Sequence, residues 1–190
     1  MTIPQVDMES RSSNRELTIA PATFRDAMRQ LAGGVSVITV GNGEDRSGMT
    51  VTSVASLSVD PPAIVVCVNK QSSTWSLMQK YAAFGVNVLA ADQQHIADRF
   101  SGRGGIKGPG RYAEADWTTR VTGTPLLRNA LAVLDCEVED AISRHSHYLV
   151  IGRVRAAQNH RDGAGLVYWQ GRYETTGGPE SPAVRAWRAK

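Results

Sequence analysis

Apolar and polar positions alternate from Gly48 to Val59, as in an extended chain with two unlike faces. Thr50, Thr52, Val54, Ser56 and Ser58 fall on one face; Val51, Ser53, Ala55, Leu57 and Val59 fall on the other. A face so small and rich in hydroxyls makes poor core, but it suits a surface against which something flat and polar lies. Pro61-Pro62 interrupts the pattern. Ala63 to Val68 is then continuously apolar and reads as a strand buried on both faces. Ser72 or Ser73 is placed to cap a helix carrying Trp75, Leu77, Met78 and Tyr81.

The same signals set out the rest of the chain. Phe24, Ala27, Met28 and Leu31 form a helical apolar stripe, with Thr23 and Asp26 as a variant capping box and Gly33-Gly34 as the stop. Val35 to Val40 is β-branched and strand-like, and the turn at residues 41–45 makes it the first arm of a hairpin. Phe84 to Leu89 is another strand, and Asp92 is expected to cap a helix with Ile96, Ala97 and Phe100 on one side. Residues 101–112, SGRGGIKGPGRY, read as a mobile surface loop whose Arg103, Lys107 and Arg111 can reach an anionic ligand. Strands are expected at 131–138 and 147–154, the second with a polar entrance at 143–146. A Gln170-Gly171 turn closes a last hairpin over 166–174. Seven or eight strands and three helices joined this way fit a β-barrel with helices outside better than a doubly wound sheet. Residues 1–20 read as a flexible arm, 21–176 as one domain and 177–190 as a loosely ordered tail in which Val184 and Trp187 are able to pack.

Composition narrows the field. The 190 residues are 42% hydrophobic and 21% charged, with a net charge of +3. That balance belongs to a globular protein, and the scattered charges form no nucleic-acid face. No apolar leader opens the chain, and no run approaches the roughly 20 apolar residues of a membrane span. Cys67 and Cys136 sit in apolar strands and read as buried small hydrophobes, which fits a cytoplasmic location, although a disulfide between them remains open. No metal-ligand spacing, catalytic Ser-His-Asp set or carboxylate pair stands out, and no metal is expected.

The chemistry gathers in two places. Ser72, Ser73 and Thr74, at a helix start, either only cap it or also hold an anion, because the first N–H groups of a helix are unpaired and the dipole favours negative charge. A flat hydroxylated face beside such a seat suits a nucleotide cofactor, with flavin a good candidate. Taken alone, Asn87 reads as a strand-edge residue, His147 as a strand-end histidine, and Trp169 and Tyr173 as hairpin packing. His95 and His160 read as ordinary surface residues.

The order of FRDAMRQLAGGVSVITV, GMTVTSVASLSVDPPAIVVCVNKQSSTW, FGVNVLAADQQHIADRFSG, HYLVIGRV and LVYWQGRYETT resembles the short-chain flavin reductases. These are the NAD(P)H:flavin oxidoreductase components of two-component monooxygenases. The likeness runs over residues 23–176. It implies a mainly β, Greek-key split barrel with a few peripheral helices, binding FMN or FAD and using NADH or NADPH. It places Thr50, Thr52 and Ser53 along the flavin ring, and Asn69, Lys70, Ser72, Ser73 and Thr74 at its phosphate. Asn87, Val88 and Leu89 then present backbone groups to the ring, with His147 and Tyr173 near the nicotinamide. The family commonly reads Gly-Asp-His where this chain has His145-Ser146-His147, so the carboxylate that would orient or charge the imidazole is missing. The resemblance also implies a homodimer and a partner monooxygenase served by diffusing reduced flavin. Two alternatives share the fold. One is a reductase that keeps its flavin and acts on another acceptor such as a corrin; the other is a non-enzymatic flavin- or haem-binding protein.

Overall fold

A computed structural model describes residues 19–159 and 163–177. The expectations for the arm before residue 19, for His160 and for the tail from residue 178, with Val184 and Trp187, lie outside the described residues. In chain order the elements begin with α1 (Pro21–Met28), β1 (Gly33–Gly34), β2 (Ser36–Asn42), β3 (Asp45–Val51), β4 (Ala55–Val59) and β5 (Pro62–Asn69). Then come α2 (Ser73–Tyr81), β6 (Ala83–Val88), α3 (Gln94–Phe100), β7 (Trp117–Thr118) and β8 (Leu126–Leu127). The chain finishes with β9 (Ala132–Arg144), β10 (His147–Asn159), β11 (Gly165–Trp169) and β12 (Arg172–Thr176).

Seven strands form one antiparallel sheet in the order β3-β2-β6-β9-β10-β5-β4. Its two edge strands, β3 and β4, are consecutive in sequence and separated only by Thr52, Ser53 and Val54. The four residue steps from Val51 to Ala55 reach at most about 14 Å. A flat sheet of this order would hold its edges roughly 29 Å apart, at about 4.8 Å per strand. The sheet therefore curls until its edges nearly meet, and the result is the expected split barrel.

This corner corrects the alternation read from the sequence. β3 pairs with β2, whereas β4 pairs with β5, so the faces assigned to Thr50 and Thr52 do not continue through Val54 to Ser58. β5 also departs from expectation. Ile64, Val66 and Val68 are buried, but Val65 and Cys67 are only half-buried, because this strand lies one place from the sheet edge.

Two cores lie on either side of β2. Ile38 and Val40 point into one with Val66, Trp75, Met78, Phe84 and Cys136. Val35 and Val37 point into the other with Ile96, Phe100, Tyr112, Leu126 and Leu166. Gly85 lets the Pro125–Leu126 segment lie close over the sheet, since an added Cβ would come within 2.4 Å of Thr39 Oγ1 and 2.8 Å of Leu126 Cδ2. A buried polar chain then stitches that segment down. Thr39 Oγ1 donates to Pro125 O at 2.5 Å, Asn87 Nδ2 donates to Val37 O at 3.0 Å, and Leu127 N donates to Asn87 Oδ1 at 2.7 Å.

The helix starts differ from the sequence signals. α1 begins at Pro21, whose fixed φ suits the first helical position, so Thr23 lies inside the first turn and does not cap it. α1 ends at Met28, and Gly33-Gly34 form β1 against β11. Its stripe is not buried: Phe24, Met28 and Leu31 are 53%, 46% and 66% exposed. Asp92 falls in a short 3₁₀ turn before α3, where Gln93 Oε1 accepts from Ala90 N at 2.9 Å. β9 and β10 are longer than expected, and residues 143–146 are the end of β9 and the turn between them. The 101–112 segment is no free loop. Tyr112 is buried and its hydroxyl donates to Ser47 O at 2.5 Å, while the Arg111 guanidinium donates to the carbonyls of Gly48 and Ile106.

Burial raises two ionisable groups in these cores. The Cys136 thiol moves from about 9.0 up to about 12, with Asp135 adding to the effect, and the Tyr112 phenol is also raised. Both groups are held protonated in the fold while the unfolded chain ionises at ordinary values. Stability is thus fully present below about pH 9 and falls as the pH rises toward 12, by about 1.4 kcal/mol per pH unit for each group engaged. Urea midpoints at pH 8, 9.5 and 10.5 should show this decline, with a shallower first part in Cys136→Ala. An equal decline in that variant would remove the thiol as a cause.

Candidate functional site

The corner that closes the barrel also makes the site. Thr52 is exposed there and forms a wall between two cavities together with Tyr168. β1 lies tight against this wall, because a Cβ on Gly33 would stand 2.7 Å from Thr52 Cβ. One cavity, of about 290 Å³, is lined by Thr50, Thr52, Ser101, Arg103, Tyr168 and Tyr173. Thr50 Oγ1 donates to Ala97 O at 2.6 Å and so ties β3 to α3. Tyr168 and Tyr173 face each other across the β11–β12 hairpin, with ring centroids 5.3 Å apart in an edge-to-face pair. Burial, and then the Asp98 carboxylate, raise the Tyr173 pKa, so its phenol is a neutral hydrogen-bond donor at pH 7. Arg103 enters this cavity from the segment after α3 and is only loosely paired, 3.6 Å from Asp98.

The other cavity, of about 400 Å³, lies between α1 and the hairpin and is lined by Phe24, Arg25, Met28, Arg29 and Trp169 beside Thr52 and Tyr168. Three contacts pin the end of α1 there. Gln170 N donates to Arg29 O at 3.0 Å, Trp169 Nε1 to Gln30 O at 3.2 Å, and Gln170 Nε2 to Gln30 Oε1 at 3.2 Å.

The second cluster sits where β5 runs into α2. Ser72 caps that helix: its Oγ accepts from Trp75 N at 3.1 Å and donates to Asn69 O at 2.8 Å. Asn69 Oδ1 accepts from Gln71 N at 2.9 Å. Ser73 is exposed, with its Oγ 2.9 Å from Ser47 Oγ, and Thr74 is buried. The N–H groups of Ser73 and Thr74 have no intrahelical acceptor, as at any helix start, and α2 directs its positive end at them. Lys70 adds a cation, its Nζ 5.2 Å from the Tyr148 ring.

The two clusters are neighbours. Ser53 Oγ accepts from Cys67 N at 3.3 Å, which fixes the corner to β5 two residues before Asn69, or about 7 Å of strand. The β5–β10 register sets His147 opposite Asn69. His147 Nδ1 is 2.9 Å from Ser146 Oγ, so a neutral hydroxyl stands where the resemblance implies a carboxylate. His147 thus joins the Asn69–Lys70 cluster, whereas Tyr173 lines the cavity beside Thr52.

Asn87 and Leu89 lie elsewhere. Both are fully buried, and the Asn87 side chain is spent on Val37, Thr39 and Leu127. The backbone follows suit: Leu89 N donates to Val35 O, Leu166 N to Leu89 O, and Leu131 N to Val88 O. These residues hold the wall from behind. Tyr168 escaped sequence reasoning, although the Gln170-Gly171 turn already sets it opposite Tyr173. Ser101 carried no such signal.

This chain belongs to the flavin reductase-like family, whose model matches residues 28–177. It is similar to the FMN reductase (NADH) RutF of Bradyrhizobium diazoefficiens, 33% identical over 170 residues, covering 86% of this chain and 93% of that one. It is likewise 33% identical over 170 residues to HsaB of Rhodococcus jostii, the reductase subunit of a flavin-dependent monooxygenase, covering 90% of this chain and 85% of the other. Among solved structures it resembles the NADH:FAD oxidoreductase SgcE6 of Streptomyces globisporus in complex with NAD and FAD fragments. There the TM-score is 0.75 and the identity 27%, with 87% of this chain and 97% of that one covered.

Asn87→Ala leaves the Leu127 N–H and the Val37 carbonyl without their buried partner. The expected loss is about 2–4 kcal/mol of stability in urea unfolding, with flavin affinity of the folded fraction within twofold of the parent. Unchanged stability with weakened flavin binding would return Asn87 to the site.

Proposed function

We propose that the protein is an NAD(P)H-dependent flavin reductase that passes reduced flavin to a partner monooxygenase. One observation carries the reading: the bond from Cys67 N to Ser53 Oγ ties the barrel-closing corner, next to the Thr52–Tyr168 wall, to β5, the strand that runs on through Asn69 into the α2 N-terminus. A flat ring and an anionic tail need two such surfaces on one side of the barrel.

The residues present fit a flavin mononucleotide unit. Ser73, the first N–H groups of α2 and Lys70 offer donors and positive charge to its phosphate. Thr50, Thr52 and Ser53 offer small, polar surface to its ring. When both cofactors are bound, they supply the chemistry, hydride transfer from nicotinamide C4 to flavin N5. The chain contributes binding, orientation and exclusion of water. Thr52 is small enough to let a second ring stack beside the first, and Tyr168 and Tyr173 wall the space against solvent. The neutral Tyr173 phenol donates to a carbonyl or amide of whichever ring lies there, and His147 contacts the nicotinamide side.

NADH and FMN are the pair favoured by the likeness to RutF. A homodimer belongs to this reading, supported by the exposed α1 residues and by Leu57 and Val59, 54% and 87% exposed on the edge strand β4. The two free cysteines suit a cytoplasmic location.

Purified protein with added FMN should oxidise NADH, followed at 340 nm. Absence of oxidation with either nicotinamide and either flavin ends this reading. His147→Ala should raise KM for NADH about tenfold, the worth of one hydrogen bond to a charged or polarised group, and leave flavin affinity within twofold. Weakened flavin binding with unchanged KM would instead assign His147 to the phosphate cluster it adjoins.

A further inference from the structure

At the far end of β3 from Thr52, roughly 20 Å along the strand, lies a cavity of about 310 Å³ that the flavin site does not use. It opens between the β2–β3 turn and the segment running from β7 to β8. Its lining includes Arg46, Arg128, Thr118, Thr119 and Trp117, and no described acidic residue. Arg46 reaches it from β3 across the ring of Tyr112, its guanidinium carbon 4.5 Å from the ring centroid. The Arg46 Nε is removed from water and has no hydrogen-bond partner. A buried donor left in this state costs about 1–3 kcal/mol, and natural folds seldom carry one without a reason. Arg128 stands exposed on the same cavity, and neither arginine forms an ion pair with a described carboxylate. Asp45, next to Arg46 in sequence, is taken: its Oδ2 accepts from Lys80 Nζ at 2.6 Å and from Tyr81 OH at 2.8 Å.

We propose that this cavity is an anion site, taking a phosphate-class oxyanion between Arg46 and Arg128. Two guanidinium groups without a counter-ion on a concave surface are the donor set that tetrahedral oxyanions select. The hydroxyls of Thr118 and Thr119 add neutral donors. The Trp117 ring gives an apolar flank on which a purine can lie, so the phosphoryl group arrives either as free phosphate or as part of a nucleotide.

The test is a thermal-shift and calorimetric titration of protein saturated with FMN, which occupies the α2 N-terminus beforehand. Inorganic phosphate at millimolar concentration should raise Tm by about 5 °C once it reaches a hundredfold excess over Kd. Chloride at equal ionic strength should not. Arg128→Ala should weaken phosphate binding about tenfold or more and leave NADH oxidation unchanged. General salting effects of phosphate act on both proteins alike, so only the difference between them counts. AMP binding more tightly than phosphate assigns a nucleotide; equal or weaker binding assigns the free anion. The proposal falls if phosphate and AMP both fail to bind, or if Arg128→Ala binds them as the parent does. The readout is binding rather than turnover, so it stands apart from the assay of the reductase reading. If FMN itself does not bind, the same titration runs on the protein alone with the same variant.

Discussion

Everything in this molecule depends on one short link. Three residues, Thr52 to Val54, join strands that stand at opposite edges of a seven-stranded sheet. So short a tether forces the sheet to roll up, and rolling up creates the interior that Phe84, Val86, Cys136 and Met78 fill. The residues of the link cannot alternate in and out as strand residues do, because they belong to no strand. Thr52 is left outside, and Ser53 turns back to bond β5. The site is a by-product of closure: the place where the barrel is sewn shut is also where it presents polar groups.

The fold was legible because its signals are local. The Gln170-Gly171 turn and the Ser72 cap each sit within a few residues, and each lies where the sequence puts it. The failures come from longer range. The alternation after Val51 looks continuous in sequence, but hydrogen bonding to different neighbours breaks it. Arg111 resembles an anion-seeking cation in a glycine-rich loop until the fold offers it the carbonyls of Gly48 and Ile106. The α1 stripe has the right period, yet nothing in the described chain covers it.

The site was legible in a similar way. The hydroxyl cluster at the head of α2 and the small residues near Thr52 announce themselves by composition. Their adjacency does not, since it depends on β5 lying beside the corner. Asn87 shows the opposite case. Taken alone it reads as a strand-edge residue, yet β6 lies inside the sheet between β2 and β9, and the two ends of its side-chain amide are consumed by segments 50 residues before it and 40 after it.

The pairing of β10 with β5 sets limits on how this chain can drift. Val150 is buried in the barrel, and Gly152 lies where a Cβ would meet the Phe84 ring at 2.4 Å, so β10 cannot slide. A slip of one residue would also send each of its side chains to the opposite face. The turn between β9 and β10 is therefore fixed in length, and His145, at φ +45°, favours residues that tolerate a left-handed backbone, which leaves Ser146 as the freer position. Substitution there retunes the surroundings of His147, as the serine in place of a carboxylate illustrates, while insertion or deletion would strip the histidine from its place beside Asn69.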